Sequence, residues 1–201
     1  MGKIFCLMGK SSSGKDTIFS ILKQKVSLKP IVLYTTRPMR SNEVDGREYH
    51  FINEKQLQEY QACHKIIEQR VYNTINGPWH YVTIDDGQFN NKDHYIMIVT
   101  LEAYINLVKY FGESRVVPIY INVEDGKRLE RALQREQQQL NPNYDELCRR
   151  FLADNRDFSK ENLDKAHIYH YYENNQLQQC IEEIIIAINK NLCTNERNDD
   201  I

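Results

Sequence analysis

Two short stretches of this 201-residue chain carry residue types at spacings that suit phosphate chemistry. The first is GKSSSGKDT at positions 9–17, in which Gly9, Gly14 and Lys15 meet the pattern G-x-x-x-x-G-K. Glycines let a loop curl until successive backbone N–H groups point at one anion, and a helix starting there adds its positive dipole end. Lys15 then brings a mobile cation to the terminal phosphates of a nucleotide, while Lys10, Ser11, Ser12 and Ser13 complete the loop. The second stretch is TTRPMRSNEVDGREYHF, 35–51, where Arg37 and Arg40 set two guanidinium forks three residues apart near Tyr49. Such forks hold a small dianion bidentately.

One position departs from the phosphate-loop pattern. Asp16 stands where a serine or threonine hydroxyl is expected to face Mg²⁺. Beside triphosphate oxygens a carboxylate needs a cation between, so Asp16 either ligates Mg²⁺, directly or through water, or points away and leaves Thr17 to offer its hydroxyl. A first-turn acid stabilised by the helix dipole is the third reading.

The elements around these stretches follow from hydrophobic pattern. KIFCLM (3–8) is an apolar run suited to a buried strand, and DTIFSILKQKV after the loop places Ile18, Ile21, Leu22 and Val26 at helical spacing. YIMIVTL (95–101) and RVVPIYINV (115–123) read as further buried strands, with a helix between them that Gly112 ends. HIYHYY (167–172) reads as a last strand before a C-terminal helix. Alternation of this kind predicts an α/β fold with a parallel core sheet. Residues 31–89 break the rhythm with short β-like pieces (IVLYTT, REYHFI, KIIEQRVY, WHYVTI) and turn signals at Asp45-Gly46 and Asn76-Gly77-Pro78, which predicts an inserted, mainly β lobe. Residues 124–158 read as charged helices broken near Asn141-Pro142.

The arginine segment closely resembles the one with which guanylate kinases hold the phosphate of GMP, and the likeness extends along the chain. IIEQRVY puts Glu68 where that family has its guanine-reading glutamate, and HYVT puts Tyr81 and Thr83 at its Tyr-Tyr-Gly-Ser. VEDGKRLERALQREQ resembles the family's lid helix, with Arg131 and Arg135 on one face by their spacing of four, and Arg150 in DELCRRFLADN matches the arginine of the following helix. Arg128 and Arg149 fit a salt-bridged exposed face instead. The resemblance implies a three-layer phosphate-loop fold spanning 1–190: core 1–30, 90–123 and 151–190, a nucleotide-monophosphate lobe at 31–89, a lid at 124–150, and a disordered tail at 191–201. It implies transfer of the γ-phosphoryl group of ATP, with Mg²⁺, to GMP or dGMP. Lys15, Arg37, Arg131, Arg135 and Arg150 would serve the transfer, and Arg37, Arg40, Tyr49, Glu68, Tyr81 and Thr83 the acceptor.

Three departures bear on the base. Leu33 replaces a small polar residue, and Thr100 falls near where the family has a substrate-contacting acid. Strand alternation would put Glu102 on the face of Thr100 as a substitute. YYENNQ replaces the loop that borders adenine. A kinase of another nucleotide or of a sugar phosphate, and a non-catalytic module that binds protein through Arg37 and Arg40, are the other functions this pattern admits.

Composition narrows the class further. The net charge of −2 provides no field for nucleic acid or anionic membrane, and five scattered cysteines without a C-x-x-C pair read as free thiols. No apolar run suits a signal segment or a membrane span. The expectation is a cytoplasmic protein, monomer or homodimer, whose partners are small nucleotides.

Overall fold

The computed structural model describes residues 1–40, 43–74 and 77–196. In chain order the elements are β1 (Ile4–Gly9), α1 (Lys15–Lys25), β2 (Lys29–Pro30), β3 (Tyr34–Thr35), β4 (His50–Phe51), α2 (Glu54–Ala62), β5 (Ile66–Thr74), β6 (Gly77–Ile84), β7 (Tyr95–Ile98), α3 (Leu101–Phe111), β8 (Val116–Asn122), α4 (Asp125–Gln137), α5 (Tyr144–Asp157), α6 (Lys160–Lys165), β9 (Tyr171–Glu173) and α7 (Leu177–Glu196).

β1 is apolar on both sides because both sides are covered. Ile4, Cys6 and Met8 point into one cluster with Leu101, Tyr104 and Leu107 of α3, while Phe5 and Leu7 point into another with Ile18 and Leu22 of α1 and Ile181 and Ile184 of α7. Side chains alternate along a strand, so a strand buried on both faces must be apolar throughout. The sheet is wholly parallel, in the order β2-β7-β1-β8-β9. Chain direction through the sheet reverses about β1, and the crevice beyond the carboxyl ends of strands at such a point is where α/β folds bind ligands. GKSSSGKDT lies at that place.

The second sheet has the order β4-β3-β6-β5 and is mostly antiparallel. Leu57 of α2 closes a small separate core on Tyr34, Val82 and Ile84. α2 was not anticipated, although its capping box is readable in the sequence: Asn53 accepts from the Gln56 amide and the Gln56 side chain accepts from the Asn53 amide.

Four expectations change. IVLYTT supplies only the two-residue β3; Ile31 and Leu33 keep single backbone bonds, to Ile96 and His50, while their side chains enter the core cluster of β1 and α3. HIYHYY yields β9 only from Tyr171, since His167 takes a left-handed turn with φ 56°. Thr100 ends the β7 run by capping α3, accepting from the Ala103 amide at 3.3 Å; Glu102 therefore sits in a helix's first turn, and strand alternation does not place it beside Thr100. The tail expected at 191–201 is helical in its first part, since α7 runs to Glu196; 197–201 lie outside the described residues, as do 41–42 and 75–76, the last including Asn76 of the expected turn.

No described helix is long and apolar enough to cross a membrane. All five cysteines are free: Cys63, Cys148 and Cys193 exposed, Cys6 and Cys180 buried. Burial pushes both buried thiols up, Cys180 to about 11. A thiol reagent at pH 8 is expected to modify three cysteines rapidly in the native protein and two only after denaturation; rapid reaction of all five would contradict this packing.

Candidate active site

The loop after β1 is shaped for close backbone approach. A Cβ at Gly9 would lie 2.6 Å from Ser13 Oγ and 2.8 Å from the Ile121 carbonyl oxygen, so only glycine fits. Ser12 and Gly14 both adopt left-handed φ, 62° and 87°. Alternation of this kind turns successive amides toward one point. Ser12 Oγ and Ser13 Oγ are buried without any hydrogen-bond partner, an uncommon and costly state that suits a loop built around an anion. Lys15, at the N-terminus of α1, has its pKa lowered by burial, against the pull of Asp16 and Asp154.

The outer side of the loop is clamped by the α4–α5 hairpin. Asp154 accepts from the Ser11 amide at 2.7 Å, and Lys10 Nζ donates to Asn155 at 2.8 Å and Asp125 at 3.3 Å. Arg128 donates to the Ser11 carbonyl at 3.0 Å, to Asp125 at 2.8 Å and to Asn155 at 2.9 Å, and its guanidinium lies over the Phe151 ring. It is 1% exposed. The expectation of an exposed Arg128 is thereby overturned: α4 turns this residue inward because the loop's polar backbone needs a partner there. From β9, the buried Asn174 donates to the Ser13 carbonyl at 2.8 Å, so YYENNQ borders the loop directly.

Facing this from the second sheet is Arg37, which follows β3 and is 4% exposed. Its two terminal nitrogens hold both oxygens of Glu43, at 2.7 and 3.0 Å. This fork already grips a planar anion bidentately, and Glu43 Oε2 also accepts from the Arg40 amide at 2.8 Å. Glu43 is held below the usual carboxylate range by the Arg37 contact. The Arg40 side chain is exposed. Tyr49 packs edge-on to Tyr81, 5.5 Å between ring centroids.

Deeper in, β5 and β6 pair Glu68 with Thr83 and Arg70 with Tyr81, past a bulge between Ile66 and Glu68 of the kind that re-aims side chains. Glu68 is 4% exposed. It accepts from Thr83 Oγ1 at 2.7 Å and from Arg70 Nε at 3.1 Å and Nη2 at 3.4 Å; Arg70 Nη1 reaches Thr100 Oγ1 at 3.2 Å. Arg70 was missed because an arginine on an alternating strand reads as solvent-facing. Leu33 is buried in the core cluster and also lines a cavity on that side.

Arg131 donates to the Asn174 carbonyl at 3.2 Å. Arg135 and Arg150 are exposed and flank a small hollow beside Ser11 and Arg128; Arg150 pairs with Glu146 at 3.3 Å. Arg149 bonds to Glu146 and is exposed, as its spacing suggested. Asp16 and Thr17 are exposed on the first turn of α1, and Asp16 lines a cavity of about 640 Å³ that extends to Leu33, Gly46 and Tyr49. A nucleotide fits such a volume. No cluster of three or more His, Cys, Asp or Glu side chains suited to a metal occurs among the described residues.

The family model for guanylate kinase matches residues 1–190. Among curated relatives, the guanylate kinase of Mycoplasma mobile is 26% identical over 187 residues, covering 91% of this chain and 90% of that one. That of Gloeobacter violaceus is 36% identical over 73 residues, 36% of each chain, and that of Nitrobacter winogradskyi 47% over 55 residues, 27% and 25%. The matched stretch thus spans about a third or less of those last two relatives' length. Among solved structures, a guanylate kinase from Anaplasma phagocytophilum superposes with a TM-score of 0.59 at 20% identity, over 91% of this chain and 82% of that one, which supports the fold. With a family model that spans all but the last eleven residues, the chain belongs to the guanylate kinase family.

Proposed function

We propose that this protein moves the γ-phosphoryl group of ATP to GMP or dGMP, giving ADP and GDP or dGDP. The observation that carries the reading is the buried Arg37 fork, which holds a carboxylate bidentately on the sheet opposite an intact phosphate loop. A 5′-phosphate is the same kind of ligand with more charge, and would displace Glu43 from the fork. Lys15 and the loop amides hold the triphosphate; the unpartnered Ser12 and Ser13 hydroxyls suit that role. Mg²⁺ bound with the nucleotide would neutralise phosphate charge, and Asp16 is the side chain that would hold it, directly or through water. Residues 31–89 act as the acceptor lobe and 124–150 as the lid, carrying Arg131 and Arg135, with Arg150 at its end.

Phosphoryl transfer spreads charge over equatorial oxygens, so placed cations do most of the work and no general base is needed. Lys15, Arg37, Arg131, Arg135 and Arg150 would supply these cations from the loop, the acceptor lobe and the lid, and closure of the last two would exclude water as a competing acceptor. Glu68 accepts donors from the base edge.

Coupled ADP release tests the reading. The protein with ATP and Mg²⁺ is expected to turn over GMP, and Glu68→Gln to raise the GMP KM by roughly 10²-fold with the ATP KM unchanged, because a carboxylate bonded to base N–H groups is lost. Turnover of another acceptor in place of GMP would transfer the reading to a different nucleotide or sugar phosphate. ATP binding without transfer to any acceptor would favour a binding module.

A further inference from the structure

We propose that Arg70 is a specificity-determining residue: by occupying part of the Glu68 carboxylate and presenting its remaining N–H groups beside it, it makes the site read the carbonyl and N1–H edge shared by 6-oxopurines, so that the 2-amino group of guanine is dispensable. The inference rests on the acceptor reading above.

Counting donors and acceptors leads to it. A carboxylate offers about four lone-pair sites. Glu68 already accepts three donors: Thr83 Oγ1 and Arg70 Nη2 on Oε1, and Arg70 Nε on Oε2. One site remains, on Oε2. A guanine edge presents two neighbouring donor groups, N1–H and the 2-amino group, and only the first finds an acceptor there. The second carboxylate the family would supply is missing, since Thr100 stands near that place and its hydroxyl is engaged with Arg70 Nη1 and the Ala103 amide.

Arg70 has five N–H groups. Three are used by Glu68 and Thr100, which leaves one on Nη1 and one on Nη2, on the Oε1 side of the carboxylate. They suit a carbonyl such as O6. Leu33 cannot supply that donor, being apolar and packed in the core. The pair is positioned rigidly: Arg70 is 7% exposed, its strand neighbour across the sheet is Tyr81, and it spans from β5 to the cap of α3. Guanine and hypoxanthine share the carbonyl and N1–H. Adenine sets a bare N1 lone pair against the open carboxylate oxygen, which repels it.

The test is kcat/KM for GMP, IMP and AMP with the wild-type protein and with Arg70→Gln, at saturating ATP and Mg²⁺. The wild type is expected to use IMP within about tenfold of GMP, since one solvated amino group without a partner is worth about one hydrogen bond, and to use AMP at least roughly 100-fold less well. Arg70→Gln is expected to raise the IMP KM more than the GMP KM with the ATP KM unchanged, because the freed Glu68 oxygen now takes the 2-amino group; the GMP-to-IMP ratio therefore grows. A merely structural role would weaken both acceptors alike and leave that ratio fixed, which would overturn the inference. If the glutamine variant does not fold, Arg70→Lys keeps the charge but loses the fork, and the same ratio is read. Wild-type GMP preference above roughly 100-fold over IMP, or AMP turnover comparable to IMP, overturns the inference while leaving the kinase reading intact. Turnover of neither GMP nor IMP overturns both.

Discussion

Lys15→Met is expected to lower kcat with GMP by about 10³-fold while leaving the melting temperature unchanged or slightly raised. The two halves come from one observation. Burial lowers the Lys15 pKa, so the folded protein disfavours its charge; removing the ammonium relieves that cost, and methionine keeps the stem's packing. The sign follows: a cation whose folded pKa lies below its unfolded value contributes nothing to stability at neutral pH, and its charge opposes folding there. Its use is to meet phosphate. With nucleotide bound the opposing anion reverses the shift, so the same lysine that weakens the empty loop stabilises the transferring group. Calorimetry and coupled ADP release on one preparation check this, and a large loss of stability with intact turnover would contradict it.

Arg128→Met is expected to show the opposite signature. The side chain is 1% exposed and binds the Ser11 carbonyl, Asp125 and Asn155, with Asp154 at 3.7 Å. Removing one partner of a buried pair leaves its acceptors unsatisfied, here costing about 3 kcal/mol and lowering the melting temperature by about 5–10 °C. Asp125 is half exposed, which keeps the effect below that of a fully enclosed pair. Since Asp154 also holds the Ser11 amide, the loop loosens as well, and the ATP KM rises while the GMP KM holds. A drop of less than about 1 °C would mean that α4 does not anchor the loop through Arg128.

Arg128 also marks where the sequence stopped being informative. β1, its loop and α1 were legible because their signals are local: an uninterrupted apolar run, glycines where φ must be positive, and a helical period after Lys15. The Arg37 segment was legible for the same reason, its fork, turn and tyrosine lying within fifteen residues. Arg128 shares a helix face with Arg131 and Arg135 at spacings of three and seven, so the stripe was visible; that it turns toward Ser11 depends on a contact 117 residues away. Asp154 and Ser11 are likewise separated by 143 positions. Such pairings follow from topology, which periodicity does not encode. Arg70 was hidden differently: on a β-strand an alternating charge means solvent unless the other sheet face is also covered, and here α3 covers it. Leu33 illustrates the reverse. At that position the family has a small polar residue, and the apolar character of leucine puts it in the core.

The most direct test of phosphoryl transfer is to follow the label from γ-³²P-ATP after incubation with the protein, Mg²⁺ and GMP, and to separate the products by chromatography. Label in GDP, dependent on GMP and lost in Arg37→Ala, is the expected result. Label released only as inorganic phosphate at a rate indifferent to GMP, or label that stays in ATP despite bound nucleotide, would contradict the assignment of the Arg37 fork as the seat of the acceptor.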